Sequence, residues 1–335
     1  MTPTTNPEPA SVAAADDAGP APALEPVPEP EDVRRFATER GILVLAHSYQ
    51  EGFLQECAHF VGDSLELARK AAEADAEAIC FCGVHFMAET AKLLSPEAEV
   101  FVPDLDAGCS LADSCRAEDL AAYQAHLERK LGVRPTTVAY VNCSAAVKAL
   151  SDVICTSGNA RRIVEALPDD RPILFVPDRH LGGWLQEVTG RELILWNGAC
   201  SVHELFSVDT LKELQAAHPG AITISHPECP KPVRDASDHV LGTAGMLALV
   251  KETRGATFIV GTEGNMLYRF RKEAPWNEYV AAPGASCACN LCPFMQLNTP
   301  EKLWRALHER APRVDVPEEL AAPARRALER MLELS

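Results

Sequence analysis

Three cysteines recur along the chain at nearly equal intervals. Cys109, Cys200 and Cys292 are separated by 91 and 92 residues, and each lies beyond an apolar run. Three thiolates from separate loops suit an iron–sulfur cluster in which one iron lacks a protein ligand. A structural zinc site would instead have four ligands in short paired spacings, and only Cys289 and Cys292 have such a spacing. The pattern indicates a metal centre with the open position that Lewis-acid catalysis requires, with three buried structural cysteines as the alternative.

Small hydroxyl residues follow a similar repeat and precede helical stretches. Ser64 in GDS, Ser157 in TSGNA and Thr243 in GTAG come about 15 to 17 residues after the end of a strand-like run. A hydroxyl at a helix start usually caps a free N–H group. The same place binds carboxylate or phosphate through backbone N–H groups and the helix dipole. Three such residues around one centre predict a pocket for a small substrate with several negative charges.

Polar side chains stand where the first strand of each repeat ends. The strand ends that we align are His47, Asn142 and His226, and the segments that contain them are AHSYQ with His47 and Tyr49, AYVN with Tyr140 and Asn142, and SHPE with His226 and Glu228. Imidazole, phenol and carboxylate groups at converging strand ends suit general acid–base catalysis. We expect Glu228 to be the best proton carrier if burial raises its pKa. His203, three residues after Cys200, is expected near the metal.

Short apolar runs that alternate with helical periods must position these residues. The predicted strands are Ile42–Ala46, Ala78–Cys82, Val100–Pro103, Val138–Val141, Ile173–Val176, Leu193–Trp196, Ile222–Ile224 and Phe258–Val260. Continuous Val/Ile/Leu strands between helices indicate parallel sheets that are covered on both faces. We therefore predict an α/β protein of three similar three-layer α/β/α units with parallel sheets, arranged around a pseudo-threefold axis. The units are expected over residues 31–133, 134–219 and 220–298, and a helical segment over 299–335 is expected to pack back on the core.

Length and charge restrict the class of protein. The chain has 335 residues, 31 Lys and Arg against 48 Asp and Glu, and a net charge of −17. That charge argues against a nucleic-acid partner, and no apolar stretch approaches the roughly 20 residues of a membrane span. Residues 1–30 are rich in Pro, Ala and acids, a composition that predicts a disordered tail. Without a secretory signal, the twelve cysteines predict free or metal-bound thiols in a cytoplasmic enzyme.

The motifs of all three repeats resemble the quinolinate synthase family of de novo NAD biosynthesis. The matching segments run from about residue 40 to 300 and are AHSYQ, VGDS, FCGVHFMAETAKLL, PDLDAGCSLAD, YVNCSAAVKALSD, CTSGNA, ILFVPDRHLG, LWNGACSVHE, HPEC and NLCPFMQLN. The resemblance implies a [4Fe-4S] cluster held by one cysteine from each of three α/β domains. It also implies condensation of iminoaspartate with dihydroxyacetone phosphate to quinolinate, with release of phosphate and two waters. Because the imine is unstable in water, a functional link to an aspartate-oxidising enzyme is expected.

The resemblance also implies a role for individual residues. The three cysteines of the repeat would be the cluster ligands and would leave one iron open as a Lewis acid. Positions that hold substrate carboxylates and phosphate match His47, Ser64, Ser157, His226 and Thr243. Positions around the condensing carbons match Tyr140, Asn142 and Glu228, and Tyr49 matches a tyrosine near the triose. The expected catalytic residues are Tyr49, Tyr140, His203 and Glu228.

Three cysteines near the C-terminus compete for the third ligand position. Cys287, Cys289 and Cys292 lie 87, 89 and 92 residues after Cys200, so Cys292 is closest to the earlier interval of 91. Pro293 agrees with the family's Cys-Pro arrangement and limits how the loop turns after the ligand. Some family members carry Cys-x-x-Cys-x-x-Cys here. In this chain Ser286 stands at the first of these positions, so the chain lacks the first cysteine of the thiol switch that those members carry.

Two other functions fit the same cysteine pattern. A diphthamide-type radical enzyme would use a three-cysteine cluster to cleave S-adenosylmethionine and would act on a protein partner. The AHSYQ, GDS and HPEC segments favour quinolinate synthase over that enzyme. A non-enzymatic iron–sulfur sensor would need no proton carrier such as Glu228, and sensors commonly carry a nucleic-acid-binding element, which we do not find in the sequence.

Overall fold

The structure, a computed structural model, describes residues 26–283 and 290–335. Its strands form three parallel sheets of four strands each. The strands are β1 Ile42–His47, β2 Phe60–Gly62, β3 Ala78–Cys82 and β4 Glu99–Phe101 in the first sheet; β5 Thr136–Tyr140, β6 Val153–Cys155, β7 Ile173–Val176 and β8 Leu193–Leu195 in the second; and β9 Ile222–Ser225, β10 His239–Val240, β11 Thr257–Gly261 and β12 Glu278–Ala281 in the third. The strand orders β2-β1-β3-β4, β6-β5-β7-β8 and β10-β9-β11-β12 are one topology used three times.

Helices connect the strands and cover the sheets. They are α1 Pro30–Glu39, α2 Gly52–Cys57, α3 Ser64–Glu73, α4 His85–Leu94, α5 Ser110–Asp113, α6 Ala117–Leu131, α7 Ala145–Ala149, α8 Ala160–Ala166, α9 Arg179–Thr189, α10 Val208–Ala217, α11 Lys231–Asp235, α12 Thr243–Glu252, α13 Met266–Glu273, α14 Pro300–Glu309 and α15 Glu318–Glu333. Strands β3, β5 and β7 are buried along their whole length, as parallel strands between two helical layers must be. This confirms the predicted α/β class with parallel sheets.

A repeated hydrogen bond aligns the three sheets residue by residue. A backbone N–H near the start of the first strand donates to a side chain 15 residues later in each sheet: Val44 to His59 Nδ1, Thr137 to Asp152 Oδ2 and Thr223 to Asp238 Oδ2. In this alignment Tyr140 is the equivalent of His47 and His226. The predicted alignment of Asn142 with those two histidines is therefore wrong by two residues, because β5 ends at Tyr140. Asn142 instead corresponds to Tyr49 and Glu228.

The last two helices return to the first and second sheets. Leu303 and Leu307 of α14 pack in the hydrophobic cluster that includes Ile42 and Val44 of β1. Helix α15 packs against α7 and β6. The sheets occupy residues 42–101, 136–195 and 222–281, and the proposed domain boundaries stay predictions.

The predicted tail falls almost wholly on residues 1–25, which lie outside the described residues, and α1 already begins at Pro30. None of the helices in residues 26–283 and 290–335 combines the length and hydrophobicity that crossing a bilayer requires.

Candidate active site

One cavity lies among loops from all three sheets. Ligands are drawn to such loops, beyond the carboxyl ends of parallel strands. The predicted catalytic, substrate-binding and metal-ligating residues all line this cavity: His47, Tyr49, Ser64, Cys109, Tyr140, Asn142, Ser157, Cys200, His203, His226, Glu228, Thr243 and Cys292. The structure thus brings together residues that are up to 245 positions apart, which is compatible with the expected pseudo-threefold arrangement.

The three cysteine loops are held by the same backbone hydrogen bond. The N–H donors lie three residues after the third strand of each sheet, and the bonds run from His85 to the carbonyl of Ala107, from Arg179 to that of Gly198 and from Gly264 to that of Asn290, at 2.7, 2.9 and 3.2 Å. In each loop the acceptor lies two residues before Cys109, Cys200 or Cys292. The regular cysteine spacing therefore reflects a repeated local structure. Cys287 and Cys289, the other candidate ligands, lie outside the described residues.

The donor set of these loops suits a thiophilic metal group. Burial raises the pKa of the Cys109 thiol to about 12, and it also raises the pKa values of Cys200 and Cys292. The nearby thiol of Cys292 further disfavours a thiolate at Cys109, and Cys109 does the same to Cys200. Three such thiolates coexist only when a cation compensates them, and metal ligation requires deprotonated thiols. The residues present therefore fit an iron–sulfur cluster.

His203 links one of these thiols to the acid–base groups. Its Nδ1 lies 3.3 Å from Cys200 Sγ and 3.1 Å from Glu228 Oε2. The ligand atoms of these three side chains all lie within 4.8 Å of one another, so the group could hold a metal ion. The other ring nitrogen of His203, Nε2, lies 3.1 Å from Thr262 Oγ1, and this contact fixes the plane of the ring. His203 is therefore oriented on both sides, between the cysteine and the carboxylate.

Glu228 is a buried carboxylate in a strongly polar environment. Burial alone would raise its pKa, but His203 and a hydrogen bond from Tyr140 outweigh this and lower the pKa below its ordinary value. The Tyr140 hydroxyl donates to Glu228 Oε1 at 2.5 Å. The expectation of a raised pKa for Glu228 is therefore wrong for this structure, because these two neighbours stabilise the charged form. Glu228 is ionised and is ready to accept a proton.

Two equivalent histidines are held as neutral hydrogen-bond donors. His47 Nδ1 accepts the Tyr49 N–H at 3.1 Å, and His226 Nδ1 accepts the Glu228 N–H at 3.3 Å. Burial lowers the pKa of each imidazole to about 3. A neutral ring whose Nδ1 accepts a hydrogen bond carries its proton on Nε2. His47 and His226 therefore present Nε2–H donors.

Comparisons with known proteins agree with this geometry. The family model described as Quinolinate synthetase A protein matches residues 31–333. The chain belongs to the quinolinate synthase family. The quinolinate synthase of Synechococcus sp. is 47% identical over 312 residues, which cover 92% of this chain and 96% of that relative. The quinolinate synthase of Nostoc sp. is 48% identical over 304 residues, which cover 90% of this chain and 92% of that relative. Members of the family are enzymes of NAD biosynthesis that act on small molecules.

The helix starts of this quinolinate synthase family member differ from the expected capping pattern. Asp63, not Ser64, is the N-cap of α3, and its Oδ1 accepts the N–H groups of Leu65 and Glu66 at 2.9 Å each. These N–H groups are therefore already used by the protein. Ser157 precedes α8 by three residues, and Thr243 is the first residue of α12, whose N-cap is Gly242. None of the three hydroxyls is a helix cap, and the Thr243 hydroxyl shares a hydrogen bond of 3.3 Å with the Tyr49 hydroxyl.

The cavity also contains residues that sequence reasoning missed, among them Asp63 and Glu263. Asp63 lies inside the GDS motif and was overlooked beside Ser64, although Asp is an equally good N-cap. Glu263 follows β11 in GTEG, and its signal was an acid immediately beyond a buried strand. Gly242 is needed where two units approach closely, because a Cβ atom there would lie 2.8 Å from Ser157 Oγ.

Proposed function

We propose that this chain is a quinolinate synthase, a transferase-type enzyme that condenses iminoaspartate with dihydroxyacetone phosphate and releases phosphate and two waters. The [4Fe-4S] cluster of the reaction would be held by Cys109, Cys200 and Cys292. One observation carries the proposal. Three loops, each held by an equivalent backbone hydrogen bond, have their cysteines on one cavity, together with an ionised carboxylate and two neutral histidines. When bound, a cluster with three cysteine ligands supplies an iron with an open position that polarises a substrate oxygen or nitrogen.

Neutral donors would bind the charged groups of both substrates. Iminoaspartate has two carboxylates and dihydroxyacetone phosphate has a phosphate, yet no Lys or Arg is among the described residues that line the cavity. The available donors are the Nε2–H groups of His47 and His226, the hydroxyls of Ser64, Ser157 and Thr243, and the first N–H groups of α12, a helix with no side-chain cap among the described residues. The N-terminal end of a helix favours an anion.

Glu228 would move protons between the condensing carbons and the departing oxygens. The condensation removes protons from carbon and delivers protons to leaving groups, which a positioned carboxylate can do. Tyr140 donates a hydrogen bond to Glu228 and His203 lies beside it, so both can exchange protons with it. The Asn142 Oδ1 atom is buried and lacks a hydrogen-bond partner among the described residues. We propose that this oxygen accepts a hydrogen bond from an N–H or O–H group of the substrate. Tyr49 would lie beside the triose.

The proposal is tested by an anaerobic assay. Iron–sulfide-loaded protein is supplied with dihydroxyacetone phosphate and with iminoaspartate generated in situ by an aspartate-oxidising enzyme. Formation of quinolinate supports the proposal. A second reaction contains S-adenosylmethionine and dithionite, a one-electron reductant, in place of the two substrates. Cleavage of S-adenosylmethionine there, with no quinolinate in the first reaction, would favour the diphthamide-type reaction, and cluster loading without either product would favour the sensor.

A further inference from the structure

Each cysteine loop is held by a backbone N–H, that of His85, Arg179 or Gly264. In two of the three units the residue before this donor is an acid. These equivalent positions are occupied by Val84, Asp178 and Glu263, each two residues after the third strand of its sheet. Asp178 and Glu263 are buried, with 0% and 1% of their surfaces exposed. A buried carboxylate is unfavourable unless several hydrogen-bond donors compensate it, so each must have partners that justify its presence.

Glu263 connects the Cys292 loop with the first unit. Its Oε1 accepts the N–H of Cys292 at 3.1 Å, and its Oε2 accepts the N–H of Asn265 at 2.8 Å. The Asn265 side chain donates to the carbonyl of Tyr49 at 3.1 Å. One carboxylate therefore fixes the backbone of a proposed cluster ligand and also Asn265, whose side chain holds Tyr49 from 216 positions away in the sequence.

Asp178 occupies the same position beside the Cys200 loop. It pairs in a parallel bridge with Gly198, two residues before Cys200, and its Oδ1 accepts the N–H of Leu181 at 2.6 Å. Its Oδ2 is buried and has no hydrogen-bond partner among the described residues, so this carboxylate does not hold the N–H of Cys200. In the first unit Val84 stands at this position. Among the three equivalent residues, Glu263 is therefore the one whose carboxylate accepts the N–H of the cysteine in its loop.

We propose that Glu263 positions Cys292 for ligation of the cluster. The inference rests on the proposed function, because it assumes that Cys292 holds the cluster. Both oxygens of Glu263 accept from backbone N–H groups. In E263Q the amide NH2 group replaces one of these oxygens and therefore faces an N–H donor that it cannot accept from. The variant therefore releases either Cys292 or Asn265, although its size is unchanged.

The test measures how fast iron leaves the loaded protein. Parent, E263Q and E263D are loaded without oxygen, and iron release to a chelator is followed by absorbance. E263D is the second variant because its shorter side chain cannot reach both N–H groups. D238N and D152N are matched controls, because those carboxylates also accept a backbone N–H but do not line the cavity. We expect E263Q and E263D to release iron about 10-fold faster or more, as is usual when groups that orient metal ligands are removed. The controls should match the parent.

Several outcomes separate this inference from the proposed function. If the parent chain takes up no iron and sulfide, the proposed function fails. If the parent is loaded normally but E263Q and E263D both release iron at the rate of D238N and D152N, the positioning role is overturned. Circular dichroism identifies a variant that does not fold, and the other of the two then decides the result.

Discussion

Tyr140 and Glu228 come from different units and share a hydrogen bond of 2.5 Å in the buried centre of the cavity. Burial and the neighbouring carboxylate raise the pKa of the tyrosine, whereas the carboxylate stays ionised. The pair therefore has one defined proton position, on the phenol. A substrate that displaces the phenol would meet a carboxylate free to accept a proton.

Glu228→Gln should lower kcat by roughly 10²–10⁴-fold, the usual contribution of a positioned acid–base group. The amide keeps the shape of the side chain but cannot accept a proton at neutral pH. The cluster should survive, which iron and sulfide analysis will check. Glu204→Gln is the control, because Glu204 lies near His203 in sequence but pairs with Arg179 outside the cavity. An E228Q protein with parental turnover would remove Glu228 from the mechanism.

Cys292→Ser should abolish the cluster and the activity, and Cys109→Ser and Cys200→Ser should do the same. A serine hydroxyl is a poor replacement for a thiolate ligand of iron. Cys287→Ser and Cys289→Ser should keep most of the iron, so they serve as controls. Iron and sulfide are measured on protein purified without oxygen. A cluster that persists without Cys292 but is lost without Cys289 would reverse the assignment, and full turnover by cluster-free protein would exclude a catalytic role.

Ser157→Ala should mainly weaken substrate binding. Loss of one hydrogen bond to a charged group costs about 1.5–3 kcal/mol, which would appear as a higher KM with little change in kcat. Ser151→Ala is a suitable control, because that hydroxyl bonds to the Val147 carbonyl away from the cavity. Steady-state kinetics with each substrate varied in turn will show which one the hydroxyl contacts. Unchanged KM values for both substrates would contradict the binding role.

The buried histidines predict a specific loss of stability in mild acid. The pKa of His226 is lowered from 6.5 to about 3 by burial, so below pH 6.5 the unfolded chain binds a proton that the folded chain does not. Stability is therefore present above pH 6.5 and falls with decreasing pH, by about 2 kcal/mol for this residue between pH 6.5 and 5.

Urea unfolding of the apoprotein at pH 7 and pH 5 measures this loss. His226→Asn removes the group at position 226 that titrates in this range. The loss of stability between pH 7 and pH 5 should therefore be smaller in this variant than in the parent by about 2 kcal/mol. His218→Asn, a change in a residue that does not line the cavity, should lose as much as the parent. Equal losses in the parent and H226N would mean that His226 is protonated in the folded protein.

The sequence was sufficient for the inner strands and for the composition of the site. Strands β3 and β7 have the predicted bounds, because their continuous apolar runs have few alternatives. Strands β2, β6, β10 and β12 were not located. All four are edge strands of two to four residues, and such short runs are ambiguous, although β4 and β8 are equally short and were located. All predicted site residues line the cavity because the repeat of the cysteines and hydroxyls is also a repeat of the fold.

The protonation of the site depends on contacts that no local pattern contains. Glu228 is ionised because Tyr140 and His203 reach it from other parts of the chain. Glu263 was missed for a similar reason: its partner Cys292 lies 29 residues away, and nothing in GTEG indicates that the carboxylate is buried. Sequence patterns thus identified the residues, whereas the charge on each one follows from the tertiary structure.

The alignment of Tyr49, Asn142 and Glu228 on one structural position has a consequence for how a ligand is oriented. Three copies of one unit with identical side chains would offer a small anionic molecule three equivalent orientations, of which two would be unproductive. A phenol, an amide and a carboxylate at that position differ in charge and in proton-donating capacity, so only one orientation satisfies all three. Divergence at a single repeated position is therefore enough to convert a symmetric scaffold into a stereochemically selective one.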